Sequence, residues 1–266
     1  MNRLDRRIEE VLKRNERFLC CLLPLGDPDL KTSRELVELY LESGVDVVEL
    51  VMPSQDPYLD SRQLSESAMC AIRTESDFSE YFKAIKQIRQ DYPNEPFEVM
   101  TYSDVVEGYG VAKFVEGLGV ADMDAHLLAD ATVIAPKIID EIDPLLEAAS
   151  IHRIRFMPHP FQEDLLPDIA ENGRGFMILQ SITDETGKRP SVMDGNRELI
   201  DRVRDTGTRA SIMLGYGINN SIRAREAVSL GTDGIIVGSA LLAKIASEDY
   251  DGLAELIKEI KGAMIL

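Results

Sequence analysis

Cysteine is scarce in this chain. Cys20, Cys21 and Cys70 are an odd number with no C-x-x-C spacing, which argues against a disulfide framework and a zinc site and fits a reducing compartment. Positive charge is scarce as well: 29 Lys and Arg stand against 47 Asp and Glu, a net charge of -18. Such a chain is a poor partner for a nucleic acid backbone. It can still hold a small anion, because backbone N–H groups and helix N-termini act locally. No apolar run approaches the length that spans a bilayer, and the opening stretch NRLDRRIEEVLKRNER has no apolar signal core. The expectation is a cytoplasmic protein with neither a membrane nor a nucleic acid partner. Linkers, low-complexity tracts and repeats are missing too, which leaves one domain over residues 1–266. At 44% hydrophobic content that length buries a sizeable core.

What is present is alternation. Short aliphatic runs are followed by amphipathic segments of helical period, the pattern of βα units around a parallel sheet. Eight strands are predicted, over Phe18–Leu25, Val45–Val51, Phe97–Tyr102, Asp124–Asp130, Arg153–Pro158, Gly175–Ser181, Ala210–Gly215 and Asp233–Gly238. Eight such units predict a closed (β/α)8 TIM barrel. KTSRELVELYLESG offers Thr32 or Ser33 as helix N-cap and Gly44 as stop, and DFSEYFKAIKQIRQDYP and NNSIRAREAVSLG read the same way. Asn2–Arg14 is expected as an extra helix under the barrel and Leu253–Leu266 as a closing helix.

In a parallel barrel the ligand face lies at the strand C-termini, so polar residues there need a reason. Glu49 lies near the end of the run VDVVELV. Desolvated among valines and leucines, its pKa rises toward neutrality, which suits a general acid/base; the alternative is a carboxylate that caps the barrel by accepting from loop N–H groups. Asp56 and Asp60 follow in a loop stiffened by Pro53 and Pro57, where aspartates often cap turns. Asp27, Asp29, Asp56 and Asp60 could together offer oxygens to a hard cation, but their spacing matches no calcium loop. His126, on a strand, and His159, between prolines, read as structural. LGYGINNS and IIVGSALLAK place glycines after the last two strands, where barrels often cradle a phosphate; a plain structural turn is the other reading.

LPLGDPDLKTS, VELVMPSQDPYLD, MTYSDVVEGYGVAKFVE, ENGRGFMILQS, LGYGIN and IIVGSALLAKI together resemble the tryptophan synthase alpha subunit family, in its order and spacing, over nearly the whole chain. The resemblance implies a barrel that cleaves indole-3-glycerol phosphate, a small phosphorylated substrate, to indole and glyceraldehyde-3-phosphate without a cofactor, and a beta-type subunit as partner in a heterotetramer. It implies Glu49 as acid/base and Asp60 as the carboxylate that stabilises the protonating indole ring, with Asp56 facing the beta subunit. It places Leu22, Tyr102, Leu127, Ala129, Asp130, Ile178 and Thr186 at the substrate, and Gly187, Gly215, Tyr216, Gly217, Gly238 and Ser239 at the phosphate.

The chain departs from the family pattern in places. Ser61 and Arg62 replace a glycine and proline after Asp60, DATVIAP stands where paired prolines are usual, and Asp184 stands in the lid where glycine is common. Leu22 and Ile178 replace aromatic residues, which predicts less ring surface in the pocket and weaker indole binding. Two further readings follow: a lyase for another phosphorylated substrate, or a non-catalytic homologue that modulates a beta-type subunit.

Overall fold

A computed structural model describes residues 2–133, 136–182 and 195–265. Among these the apolar runs form β1 (Phe18–Pro24), β2 (Val47–Val51), β3 (Phe97–Thr101), β4 (Ala125–Leu128), β5 (His152–Arg153), β6 (Arg155–Met157), β7 (Phe176–Gln180), β8 (Ser211–Gly215) and β9 (Gly234–Val237). They hydrogen-bond in the order β5-β4-β3-β2-β1-β9-β8-β7-β6, every pair parallel. Only Ile154 separates β5 from β6, so the sheet returns to where it began and closes as a TIM barrel.

The strand count is a correction, nine where eight were expected. The run Arg153–Pro158 serves two neighbours in turn. β5 pairs with β4 through Ala125↔His152 and His126↔Arg153, the Ile154 N–H donates to the His126 carbonyl at 2.9 Å, and the ladder to β7 starts at Arg155↔Met177. Arg153 and Arg155 both pair with Asp168, at 3.0 and 3.1 Å, which holds the hand-over in place from outside.

Alternate residues divide the core in two. Leu22, Val51, Met100, Leu127, Phe176, Ile178 and Met213 point into the barrel, while Leu23, Val48, Leu50, Val99, Leu128 and Leu214 pack outward in the larger cluster with helix residues. The helix Arg3–Lys13 closes the bottom, with Leu4, Ile8 and Val11 buried in the inner cluster beside Phe18 and Phe176. Its register is set by charge: Arg3 and Arg89 reach the buried Asp124 at 2.9 and 2.5 Å, and the Phe97 N–H donates to the same carboxylate. A carboxylate so deeply buried is tolerable because it is paired and hydrogen-bonded.

Two helix expectations also change. The helix Leu30–Glu42 starts at Asp29, whose carboxylate accepts from the Thr32 N–H at 2.8 Å, not at Thr32 or Ser33. Ser33 is inside it, accepting from the Gly26 N–H and donating to the Asp29 carbonyl. The closing helix spans Tyr250–Gly262 and begins earlier than Leu253, because Asp249 caps it by accepting from the Gly252 N–H. Among the described residues no helix is long and apolar enough to cross a membrane.

Candidate active site

On β2 the side chains of Val47, Glu49 and Val51 share the barrel's inner face, since successive residues alternate. Glu49 is therefore held among apolar groups, 1% exposed. It lines a cavity of about 570 Å³ at the C-terminal mouth of the barrel, together with Asp60. Burial pushes the Glu49 carboxyl up to about 8, the nearby Asp60 charge pushes in the same direction, and a carboxyl contact from Glu98 opposes them.

The loop after β2 is tied to the segments that follow β3 and β4. Ser54 donates to Asp104 at 2.9 Å, the Gln55 N–H reaches the same carboxylate, and the Tyr58 hydroxyl lies 3.4 Å from Asp130. Tyr58 packs edge-on against Tyr102 with 5.6 Å between ring centroids. Asp60 ends up under the Tyr102 hydroxyl, which donates to its Oδ2 at 2.5 Å. Burial raises the Asp60 pKa, and this hydrogen bond offsets part of the rise. The unusual Ser61 has a local reason: it is the N-cap of the helix Arg62–Thr74, accepting from the Leu64 N–H, while Arg62 pairs in the open with Glu66.

Across the mouth, β8 ends at Gly215 and β9 at Val237. Tyr216, Gly217, Gly238 and Ser239 line the same cavity as Glu49, with Ile218, Asn219 and Ala240. Gly217 has φ +77°, a conformation that few residues other than glycine adopt. Gly215 is not a wall residue; a Cβ there would fall 2.4 Å from Ile236 Cγ2, so its lack of a side chain is what lets β8 lie against β9. Gly238 opens the helix Ser239–Ala246. The first N–H groups of that helix have no acceptor within it and are suited to an anion.

The side walls are apolar. Leu22, Leu127, Ala129 and Ile178 line the cavity, with Met100, Ile236 and Phe156. The expected shortage of ring surface is made up in part: Phe156 and Tyr216 meet edge to face with centroids 6.4 Å apart. Phe156 lay in a run already read as a strand, and its alternation with Ile154 was the available signal.

Other candidates fall elsewhere. Asp130 does not line the cavity; it accepts from the Ser103 N–H at 3.0 Å and hydroxyl at 2.5 Å, fixing the start of the helix Ser103–Tyr109. Tyr102 acts on Asp60 from behind the wall. Asp56 is exposed. With Asp29 capping a helix, Asp56 exposed and Asp60 under Tyr102, the four aspartates do not assemble a cation site, and among the described residues no three His, Cys, Asp or Glu side chains do. His126 sits among core side chains, 2.8 Å from Thr101 Oγ1, and burial lowers its pKa to about 3. His159 is exposed. Thr186 and Gly187, with Asp184, lie outside the described residues.

One buried acid was not singled out from the sequence. Glu98 stands directly opposite Glu49 in the β2–β3 register and is 0% exposed. The signal for it was the one that drew attention to Glu49, a lone carboxylate in an apolar strand.

The site thus sets two carboxyls, raised by burial, against a pair of glycine turns, and joins them by an apolar wall. A sequence profile described as the tryptophan synthase alpha chain matches residues 8–263. The chain belongs to the tryptophan synthase alpha chain family. The tryptophan synthase alpha chain of Caldanaerobacter subterraneus subsp. tengcongensis is 30% identical over 263 residues, 98% of this chain and 96% of that one. The tryptophan synthase alpha chain of Methanosarcina barkeri is also 30% identical, over 265 residues and 98% and 97% of the two chains. A solved structure of Mycobacterium tuberculosis tryptophan synthase aligns with TM-score 0.86 at 26% identity, covering 100% of this chain and 99% of that one. The tryptophan synthase alpha chain of Legionella pneumophila has the same fold, with TM-score 0.86 at 20% identity over 99% and 97%.

Proposed function

We propose that this barrel, acting as a single domain, cleaves indole-3-glycerol phosphate to indole and glyceraldehyde-3-phosphate. The observation that carries the reading is that Glu49, Asp60 and the turns at Gly217 and Gly238 all line one cavity. In the retro-aldol step indole C3 gains a proton and the side-chain hydroxyl loses one. The bond from C3 to the side chain breaks, its electron pair returns to the ring, and the hydroxyl carbon becomes the aldehyde. Glu49, near 8, can both accept and return a proton at neutral pH. Asp60 balances the positive charge that C3 protonation places on the ring, the phosphate sits at the glycine turns, and Leu22, Leu127, Ala129 and Ile178 hold the indole. A beta-type subunit would cover the exposed Asp56, Tyr58 and Leu59.

The test is release of indole from indole-3-glycerol phosphate by the purified chain, alone and with a beta subunit. No release in either case would remove this substrate and favour another phosphorylated one.

Tyr102 supplies a smaller, separate test. Tyr102→Phe removes the donor that favours the ionised Asp60, so the Asp60 pKa rises. A hydrogen bond to a charged group is worth about 1.5 to 3 kcal/mol, and kcat/KM is expected to fall about tenfold or more. The limb of the pH profile that follows Asp60 moves to higher pH. An unchanged profile means that Tyr102 does not tune Asp60.

A further inference from the structure

Two carboxyls face each other inside the barrel, and among the described residues no cation separates their charges. Glu98 is two residues before Met100 on β3, and Met100 lines the cavity, so Glu98 points inward one layer below the cavity floor. Its register partner across the sheet is Glu49. Neither Glu98 oxygen has an N–H or hydroxyl donor, and Glu49 Oε2 has none either. What each has is the other carboxyl, a contact that is a hydrogen bond only when one of the two carries a proton.

We propose, resting on the reaction given above, that Glu98 is a positioning residue that stays protonated and donates its proton as a hydrogen bond to the Glu49 carboxylate.

The surroundings leave little choice. The titratable groups that bear on the pair are Cys20 and Cys21 on β1, Asp60 after β2 and Tyr216 after β8, and Tyr102 reaches the site through Asp60. Among the described residues no Lys, Arg or His is a neighbour acting on either carboxyl. Like charges this close do not both ionise in an apolar interior. Glu98 has no exposed surface, while Glu49 opens on the cavity, so burial holds the proton on Glu98, whose carboxyl is raised well above the usual range. The donated hydrogen bond favours the ionised form of Glu49 and fixes its carboxylate against the inner wall. The Glu98 proton is not consumed in the reaction.

Two readouts test this. Infrared spectroscopy of the wild-type chain at about pH 9, where an ordinary glutamate is fully ionised, should show a protonated carboxyl band that Glu98→Gln lacks. No such band, or one that persists in Glu98→Gln, overturns the proposal, and this measurement needs no substrate. The second readout is the pH profile for cleavage of indole-3-glycerol phosphate. Glu98→Met removes the donor and keeps the bulk, so the limb that titrates Glu49 should move up by about one pH unit. Glu98→Gln keeps an N–H donor and should restore the wild-type position. If Glu98→Met leaves the limb in place, the proposal fails; if that variant does not fold, the infrared result on Glu98→Gln still decides. Wild-type protein that cleaves nothing yet shows the band would overturn the substrate and leave Glu98 in its role.

Discussion

Glu49→Gln should lower turnover of indole-3-glycerol phosphate by about 10² to 10⁴, the usual contribution of a positioned acid/base. The substitution keeps the size of the side chain and an oxygen to accept the Glu98 hydrogen bond. What it removes is the ability to take up and return a proton. Glu49 is the carboxyl best suited to both, because burial and the Asp60 charge bring it to about 8, where it exchanges a proton at neutral pH with little free-energy cost either way. Substrate affinity should change far less than kcat, since the proposed phosphate site lies across the mouth at Gly217 and Gly238. Single-turnover and steady-state kinetics on wild type and variant separate the two. A variant that turns over within threefold or so of wild type would leave Glu49 as a barrel-capping carboxylate, on the scale set by that acid/base contribution.

The phosphate site predicts an effect of similar size on binding. Gly238→Asp puts a carboxylate where the anion should lie. A Cβ at Gly238 meets only Leu22 Cδ1 and Cβ, at 3.4 and 3.7 Å, which is ordinary contact, so the barrel should fold as before. Like-charge juxtaposition costs several kcal/mol, so affinity for glycerol 3-phosphate should fall by more than about 100-fold. Calorimetric titration reads it, with an unchanged thermal midpoint as the control for folding. Equal affinity in variant and wild type would place the phosphate elsewhere.

Much of this was legible in the sequence because the signals are local. A parallel barrel strand is an unbroken apolar run between turns, and the runs around Val47–Val51 and Phe176–Gln180 could hardly be anything else. The glycine turns at Gly217 and Gly238 were visible because each follows a late strand directly, and both line the cavity. What escaped notice depends on partners distant along the chain. The fifth strand divides at Ile154 because its two halves bond to β4 and β7, and nothing within Arg153–Pro158 records that. Asp29 outcompeted Thr32 and Ser33 as helix cap through its place in the loop after β1, where Ser33 was already engaged with Gly26. Asp130 had the position of a ligand-binding residue at the end of β4, yet Ser103 of the neighbouring unit claims it. Glu98 is drawn into the proposed chemistry only because register sets it beside Glu49.

The pairing of Phe18 with Gly234 and of Cys20 with Ile236 closes the cylinder between β1 and β9, and it gives the interior acids a part in folding itself. Before closure Glu49 and Glu98 are hydrated and, at neutral pH, both ionised, as glutamates titrating near 4.3 are. Afterwards they hold at least one proton between them. Folding at neutral pH therefore takes up hydrogen ion at this pair. Because the Glu49 pKa is raised, its share is fully favourable below about pH 4.3 and is lost as the pH climbs through about 8, while Glu98, raised well above the ordinary range, keeps its proton beyond that. Hydrogen ion acts here as a ligand of the native state, and the acidity that serves the chemistry at the barrel mouth sets an alkaline limit on how long the barrel stays closed. Urea midpoints of wild type and Glu98→Gln should diverge in the variant's favour as pH rises; a constant difference would mean that closure takes up no proton there.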